Sequence, residues 1–329
     1  MRKVSTKKIT SIGGSALIEG IMMRGPKRTT VCVRTGENEI YSEDIKMTTI
    51  PEKCKLFKLP LLRGIAGLID SMRLSYKSLM LSADKAVEAG EVEEEEPSKF
   101  EKWLDEKFGD KLVKVVMVFA SILGVALAVG LFFFLPSFLF DLTANVVPVF
   151  QGNGESAVFW KSVFEGVLKI ALFLGYIVLC SQMTEMKRVF MYHGAEHKTI
   201  FCYENEEELT VENVRKQIRF HPRCGTSFMV LMLIVGIVIG LFIPVAPFGI
   251  GFLRPVFKIL LLPVSCGIGY ELIKICGKHD NAFTRFIAAP GLWAQRITTK
   301  EPDDKMIEVA IEAMKAVIPD DGTDIINNK

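Results

Sequence analysis

Residues 226–243 read TSFMVLMLIVGIVIGLFI, an 18-residue run with no charged side chain. A run of that length and composition is what a helix needs to cross the hydrocarbon of a bilayer. The residues just before it are Phe220-His221-Pro222-Arg223-Cys224-Gly225. Potential metal ligands therefore abut the start of a predicted span.

Working outward, three more apolar runs come into view. Leu112–Leu139 is broken by Pro136. Val163–Cys180 carries Glu165 and Lys169 near its outer end. Ile259–Ile275 is interrupted by Pro263 and carries Glu271 and Lys274. Together the four runs predict a mainly α, polytopic membrane protein with four transmembrane helices in two hairpins, plus a small cytoplasmic α+β region at the N-terminus. The expected segments are 1–90 for that region, 91–111 for an acidic linker and charged helix, 112–276 for the membrane region with a metal-site loop at 182–225, and 277–329 for a cytoplasmic C-terminal segment.

Composition agrees with this division. Half of the 329 residues are apolar and the mean hydropathy is +0.30. A net charge of +2 gives no case for a nucleic-acid partner. The seven cysteines are an odd number with no CxxC pair, and Cys180 and Cys266 fall inside apolar runs. A disulfide framework is not expected, and a reducing compartment fits. The N-terminus begins with basic and polar residues, and no cleavable apolar segment is expected.

Orientation follows from Lys and Arg in the short loops. Between the first two runs the basic residue is Lys161. Between the second and third are Lys187, Arg188, Lys198, Arg215, Lys216, Arg219 and Arg223. The middle loop is expected on the cytoplasmic side, with both termini. Arg254 and Lys258, at the outer start of the fourth run, are expected to snorkel toward the interface.

Before the first run, Thr29–Thr35 and Glu39–Met47 alternate as a β-hairpin around Gly36-Glu37-Asn38. Leu61–Val87 has helical periodicity, with Ile65, Leu68, Ile69, Met72, Tyr76, Leu79 and Met80 on a broad apolar face. That helix reads either as a core helix under the hairpin or as an interfacial helix on the membrane. Glu91–Glu96 reads as a solvated linker and Lys99–Lys111 as a charged helix. After the last run, Asp303–Val317 has helical period between Pro302 and Pro319.

Three of the four histidines lie between the second and third runs. On a helix, His193 and His197 project from one face, and Glu196 can lie beside the same site. His221 and Cys224 form a second pair at i, i+3. Three imidazoles and one thiolate suit zinc. The order His193-x-x-Glu196-His197 also matches the H-x-x-E-H arrangement of inverted zinc peptidases, where the glutamate is general base. Three readings stay open: a catalytic metal site, a closed structural zinc site, and no metal. Glu271 and His279 are additional ligand candidates. Residues Gly13–Pro26, GGSALIEGIMMRGP, have glycines that imply tight turns or close backbone approach. Glu19 and Arg24 in it are candidates to line a pocket or to pair with each other.

GGSALIEGIMMRGP (13–26), YHGAEHKTI (192–200), RFHPRCGTSF (219–228) and PGLWAQRITTKEPDD (290–304) together resemble the YqhQ-like family of uncharacterised bacterial membrane proteins. The strings spread over nearly the whole chain. The resemblance implies a bacterial inner-membrane protein of a family described as predicted metal-dependent enzymes, and no substrate comes with it. The function expected is a metal-dependent hydrolase at the cytoplasmic membrane surface. His193, His197, His221 and Cys224 hold a divalent metal, zinc by ligand type, and Glu196 is general base. The rival expectation is a non-catalytic membrane scaffold, or an assembly or transport factor, with a structural metal site. The partners expected are the lipid bilayer and an unidentified substrate, with homo-oligomerisation left open.

Overall fold

Alternation in the first 45 residues builds a four-stranded antiparallel sheet: β2 (Gly13–Leu17), β3 (Gly20–Arg24), β4 (Thr29–Arg34) and β5 (Ile40–Asp44), in that order. The computed structural model describes residues 6–60, 62–90, 115–116, 118–144, 146–151, 154–278 and 281–328. The acidic run Glu91–Glu96, the helix Lys99–Lys111, most of 112–117, and His279 with Asp280 lie outside the described residues. The expected hairpin is β4–β5, closing on Arg34 opposite Ile40. The β2–β3 hairpin turns at Ile18 and Glu19, where Glu19 takes a positive φ of 49°. A second antiparallel pair joins β1 (Lys8–Thr10) to β6 (Ile325–Asn328), so the two ends of the chain lie together.

The helices, in chain order, are α1 (Leu62–Glu88), α2 (Val118–Ala144), α3 (Glu155–Cys180), α4 (Thr184–Glu204), α5 (Val211–Lys216), α6 (Gly225–Gly240), α7 (Leu253–Leu260), α8 (Leu262–Lys278), α9 (Ala282–Thr298) and α10 (Asp304–Val317). Asp303 starts α10 by accepting a hydrogen bond from the Met306 N–H at 2.8 Å, which satisfies one of the helix's unpaired donors.

The chain divides into two compact units that interleave along the sequence. The first comprises 1–92, 173–232 and 263–329; the second comprises 93–172 and 233–262. In the first unit the sheet is covered on both faces, as its period of two requires. Ile21, Met23 and Cys32 join one core with Tyr192 and Ala195 of α4 and Met306, Ala310 and Met314 of α10. Met22, Val31 and Val33 point the other way, onto Leu74 of α1. The side of α1 that faces the sheet is a stripe of mostly small residues, Ala66, Asp70, Leu74, Ser78, Ser82 and Ala86. The apolar positions Ile69, Met72, Tyr76, Leu79 and Met80 are exposed instead. The core helix under the sheet is therefore built by the small residues, not by the periodic apolar face.

The second unit contains ion pairs among apolar helices. Lys161 bonds Asp141 at 2.5 Å, and Glu165 pairs with Lys258 and, at 3.5 Å, with Arg254. Arg254 also donates to Ser162 Oγ at 2.7 Å and to the carbonyls of Gly240 and Pro244 at 3.1 and 2.9 Å. The Gly240 carbonyl ends α6 and the Pro244 carbonyl follows it, so neither has a helical partner of its own. Arg254 and Lys258 are accordingly buried, 0% and 9% exposed, and do not snorkel.

The number of spans departs from four. Among the described residues α2 and α3 are long and apolar enough to cross a membrane. A third span results if α7 and α8 form one broken crossing. The run 226–243 folds as the 16-residue α6, which stops at Gly240. At 1.5 Å per residue it reaches about 24 Å, short of a hydrocarbon core of about 30 Å.

Candidate metal centre

The helix α3 ends at Cys180, the backbone turns through Ser181-Gln182-Met183, and α4 begins afresh at Thr184. The histidine helix is thus a separate element and not a straight extension of the span. His193 and His197 lie one turn apart on it, ring centroids 4.4 Å from each other. Cys224 immediately precedes α6, and its Sγ lies 3.1 Å from His193 Nε2. His193, His197 and Cys224 each offer one ligand atom, and these atoms all fall within 4.8 Å of one another. Tetrahedral zinc with nitrogen and sulfur ligands separates ligand atoms by about 3.5 Å. No separation among the three would need to change by more than about 1.3 Å.

Both imidazoles are oriented from behind. His193 Nδ1–H donates to the Thr298 carbonyl at 2.9 Å, and His197 Nδ1–H donates to the Arg219 carbonyl at 2.6 Å. A carbonyl can only accept, so each Nδ1 carries the ring proton. Each Nε2 keeps its lone pair for a ligand, which is the arrangement that outer partners impose on metal-binding histidines. Residues 298–300 approach α4 closely enough to do this because position 194 is glycine. A Cβ there would lie 2.0 Å from the Lys300 carbonyl oxygen. The Lys300 N–H in turn bonds the Phe190 carbonyl at 2.8 Å.

Glu196 is buried, and its Oε2 has no hydrogen-bond partner. Strand β2 passes against this carboxylate, and a Cβ at Gly14 would lie 3.0 Å from Glu196 Cδ. Glycine at 14 therefore lets strand β2 close over the glutamate. Glu19 does not pair with Arg24: Arg188 of α4 donates both Nε and Nη2 to its carboxylate at 2.5 Å, and Tyr192 OH donates at 3.3 Å. The glycine-rich motif thus serves as a lid on the histidine helix.

His221 stands beside the cluster, its ring 5.5 Å from that of His197, but outside the group of three. Its Nδ1 accepts from the Arg223 N–H at 3.3 Å, and its Nε2 faces Arg223 Nη2 at 3.3 Å and Glu204 at 3.8 Å. Arg223 and Glu204 form an ion pair behind it. The His221 backbone is held by Gln295 of α9, whose Oε1 accepts from the His221 N–H and whose Nε2 donates to the His221 carbonyl, each at 2.7 Å. Glu271 is not drawn to the cluster. Arg63 bonds it at 2.6 and 2.5 Å, because α1 and α8 pack together at that point. His279 lies outside the described residues. Spacing alone did not reveal Gly14, Glu204 or Gln295, although Gly14 and Gln295 fall within the two quoted motifs that lack histidine.

Charge follows the geometry. Burial alone would lower the His193 pKa, but the Cys224 sulfur opposite it outweighs burial and raises it to about 9. Burial would raise the Cys224 thiol, but His193 and His197 hold it well below its usual range. Both shifts favour an imidazolium–thiolate pair, whose Nε2 proton a bound metal would displace. Burial pushes Glu196 above the usual carboxylate range, against the pull of the two histidines. Burial also takes His221 down to about 4, leaving that ring neutral.

Residues 59–320 match the family described as "Protein of unknown function (DUF1385)". The chain is also 34% identical over 308 residues to the "Uncharacterized protein YqhQ" of Bacillus subtilis (strain 168), an alignment covering 93% of this chain and 92% of that one. No solved structure matches.

Proposed function

Because the chain belongs to the DUF1385 family, whose matched region spans the whole cluster, we propose that it is a zinc-dependent hydrolase working at the cytoplasmic face of a bacterial inner membrane. One observation carries the reading: three convergent ligands leave a coordination position open, and a buried carboxylate oxygen without a partner stands beside it. A purely structural site closes its fourth position with another side chain. Held by His193, His197 and Cys224, zinc would supply Lewis acidity to the scissile group and to the attacking water.

The chain's own residues do the rest. Thr298 and Arg219 fix the tautomers of His193 and His197 through their carbonyls. His193 and His197 hold the Cys224 thiol well below its usual range, which favours the thiolate that binds metal. Glu196 Oε2 takes the proton from the attacking water and later returns it to the leaving group. The close approach of the β2 backbone at Gly14 confines that carboxylate.

Topology supports the location. Pairing of β1 with β6 supports a location of both strands on one side of the membrane. The core that joins Ile21, Tyr192 and Met306 supports the same side for the sheet, α4 and α10. The Lys and Arg of 187–223 favour the cytoplasm for that side.

Burial of Cys224 and Glu196 favours one alternative, a scaffold in which the metal merely ties α4 to α6. Replacing the chromosomal gene by Glu196→Gln separates the two. The enzyme reading expects the purified variant to keep its metal while cells show the lipid and metabolite profile of a deletion strain. A wild-type profile with metal retained overturns it and leaves the scaffold.

A further inference from the structure

Helix α1 has two sides with different fates. The small-residue stripe holds it to the sheet, and Ser82 Oγ donates to the Ile18 carbonyl at 2.8 Å. On the opposite side Met72 and Tyr76 are 64% and 68% exposed, with Ile69, Leu79 and Met80 beside them. These positions recur at three- and four-residue spacing, so they form one face. The short turn Lys55–Lys58 just before α1 adds exposed Leu56 and Leu59.

Two observations say what covers this face. The first is charge. Lys53, Lys55, Lys58, Arg73 and Lys77 are all exposed around it. Asp70 is buried and accepts from the Ile50 N–H at 2.8 Å and from Arg73 at 3.5 Å, while the exposed acids Glu52, Asp84 and Glu88 lie toward the two ends of the segment, Glu88 paired with Lys85. A basic, apolar surface of this kind suits an anionic lipid interface and not a neutral protein groove. The second is continuity. The first turns of α1 pack on α8, where a Cβ at Gly64 would come 2.9 Å from both Gly267 Cα and Tyr270 Cβ, and Arg63 pairs with Glu271 there. With α7, the helix α8 has the length and hydropathy of a membrane-entering segment. The exposed face of α1 thus begins next to an apolar helix with the length and hydropathy, together with α7, to enter lipid.

We propose that α1 is an interfacial helix lying along the anionic membrane surface, with Ile69, Met72, Tyr76, Leu79 and Met80 in the acyl region and Arg73 and Lys77 on lipid phosphates. The proposal is independent of the metal centre. It makes α1 the floor on which the sheet rests, so the first unit is fixed to the bilayer at two places: at its apolar helices and along α1.

The test reconstitutes the full chain in vesicles of phosphatidylcholine and phosphatidylglycerol containing a trace of phospholipid with a diazirine near the glycerol end of an acyl chain. Photolysis and peptide mapping then locate the adducts. Adducts at Ile69, Met72, Tyr76 or Met80 are expected, together with adducts in α2 and none at Leu74 or Ser78. Adducts in α2 alone overturn the proposal, and so does cross-linking of α1 to a second copy of the chain. The double variant Arg73→Glu/Lys77→Glu should lose α1 adducts several-fold while keeping those in α2. Full labelling of α1 in that variant overturns the assignment to an anionic surface.

Discussion

Replacing Gly194 by alanine tests whether residues 298–302 position the histidines of the candidate metal centre. The new Cβ would lie 2.0 Å from the Lys300 carbonyl oxygen and 3.5 Å from Pro302 Cδ, where real Cβ contacts stay above 3.0 Å. The obstacle is backbone, so no side chain can swing aside, and α4 must part from residues 298–302 by about 1 Å. Overpacking of this kind costs about 1–3 kcal/mol. The same movement stretches the Lys300 N–H bond to Phe190 O and the His193 Nδ1–H bond to Thr298 O, each worth about 1 kcal/mol. A destabilisation of about 3–5 kcal/mol is therefore expected in denaturant titrations of the detergent-solubilised protein. Metal affinity should fall about 10- to 100-fold, the usual effect of losing an outer partner of a ligating histidine, read by competition with a chromophoric chelator. Gly225→Ala is the control. It lies next to Cys224 in sequence, but a Cβ there meets nothing within 4 Å, so both readouts should stay at wild type. Gly194→Ala with wild-type stability and metal affinity would refute the packing argument.

Three further outcomes follow from the same geometry. Gly14→Ala would meet Met22 O at 2.7 Å and Glu196 Cδ at 3.0 Å, so it should lower stability by about 1–3 kcal/mol and displace the glutamate without removing metal, while Gly13→Ala, with open space around it, should melt like wild type. Gln295→Leu leaves the His221 N–H and carbonyl and Ser227 Oγ without their buried partner, a loss of about 2–4 kcal/mol in denaturant titration; wild-type stability would show that α9 does not hold the His-Cys loop. In metal-free protein, the stabilisation from raised His193 is full below about 6.5 and lost as pH rises through about 9, whereas that from depressed Cys224 is full above about 9 and lost as pH falls. Their sum is level between those values and drops on acidification below about 6.5. Thiolate absorption should therefore be present at neutral pH and vanish in Cys224→Ser, since Cys32 and Cys202 are pushed up to about 11.

Local patterns in the sequence carried the secondary structure well. The β4–β5 hairpin around Gly36-Glu37-Asn38, the helix over 62–88 and the helix starting after Asp303 all follow from alternation, periodicity and capping. Long-range pairing did not show. Glu19 and Arg188 are 169 positions apart, and Arg63 and Glu271 are 208 apart. No spacing rule predicts such pairs. Hydropathy counted α6 as a span because its composition is apolar, but length is set by where the backbone stops, and it stops at Gly240. At the candidate site, the closeness of the i, i+4 histidines was legible because local helical geometry sets their positions, and Cys224 was placed by the apolar run that follows it. The separate place of His221 was not, because it depends on Glu204, Arg223 and Gln295, which come to it from other elements.

Cobalt-substituted protein tests the central claim most directly. The account expects the chain to bind one ion and to show sulfur-to-cobalt charge transfer. That signal should disappear in Cys224→Ser, the ion should be lost in His193→Ala and His197→Ala, and both should survive in His221→Ala and Glu271→Ala. Wild-type protein that binds no ion, or whose cobalt spectrum is unchanged by Cys224→Ser, would contradict it.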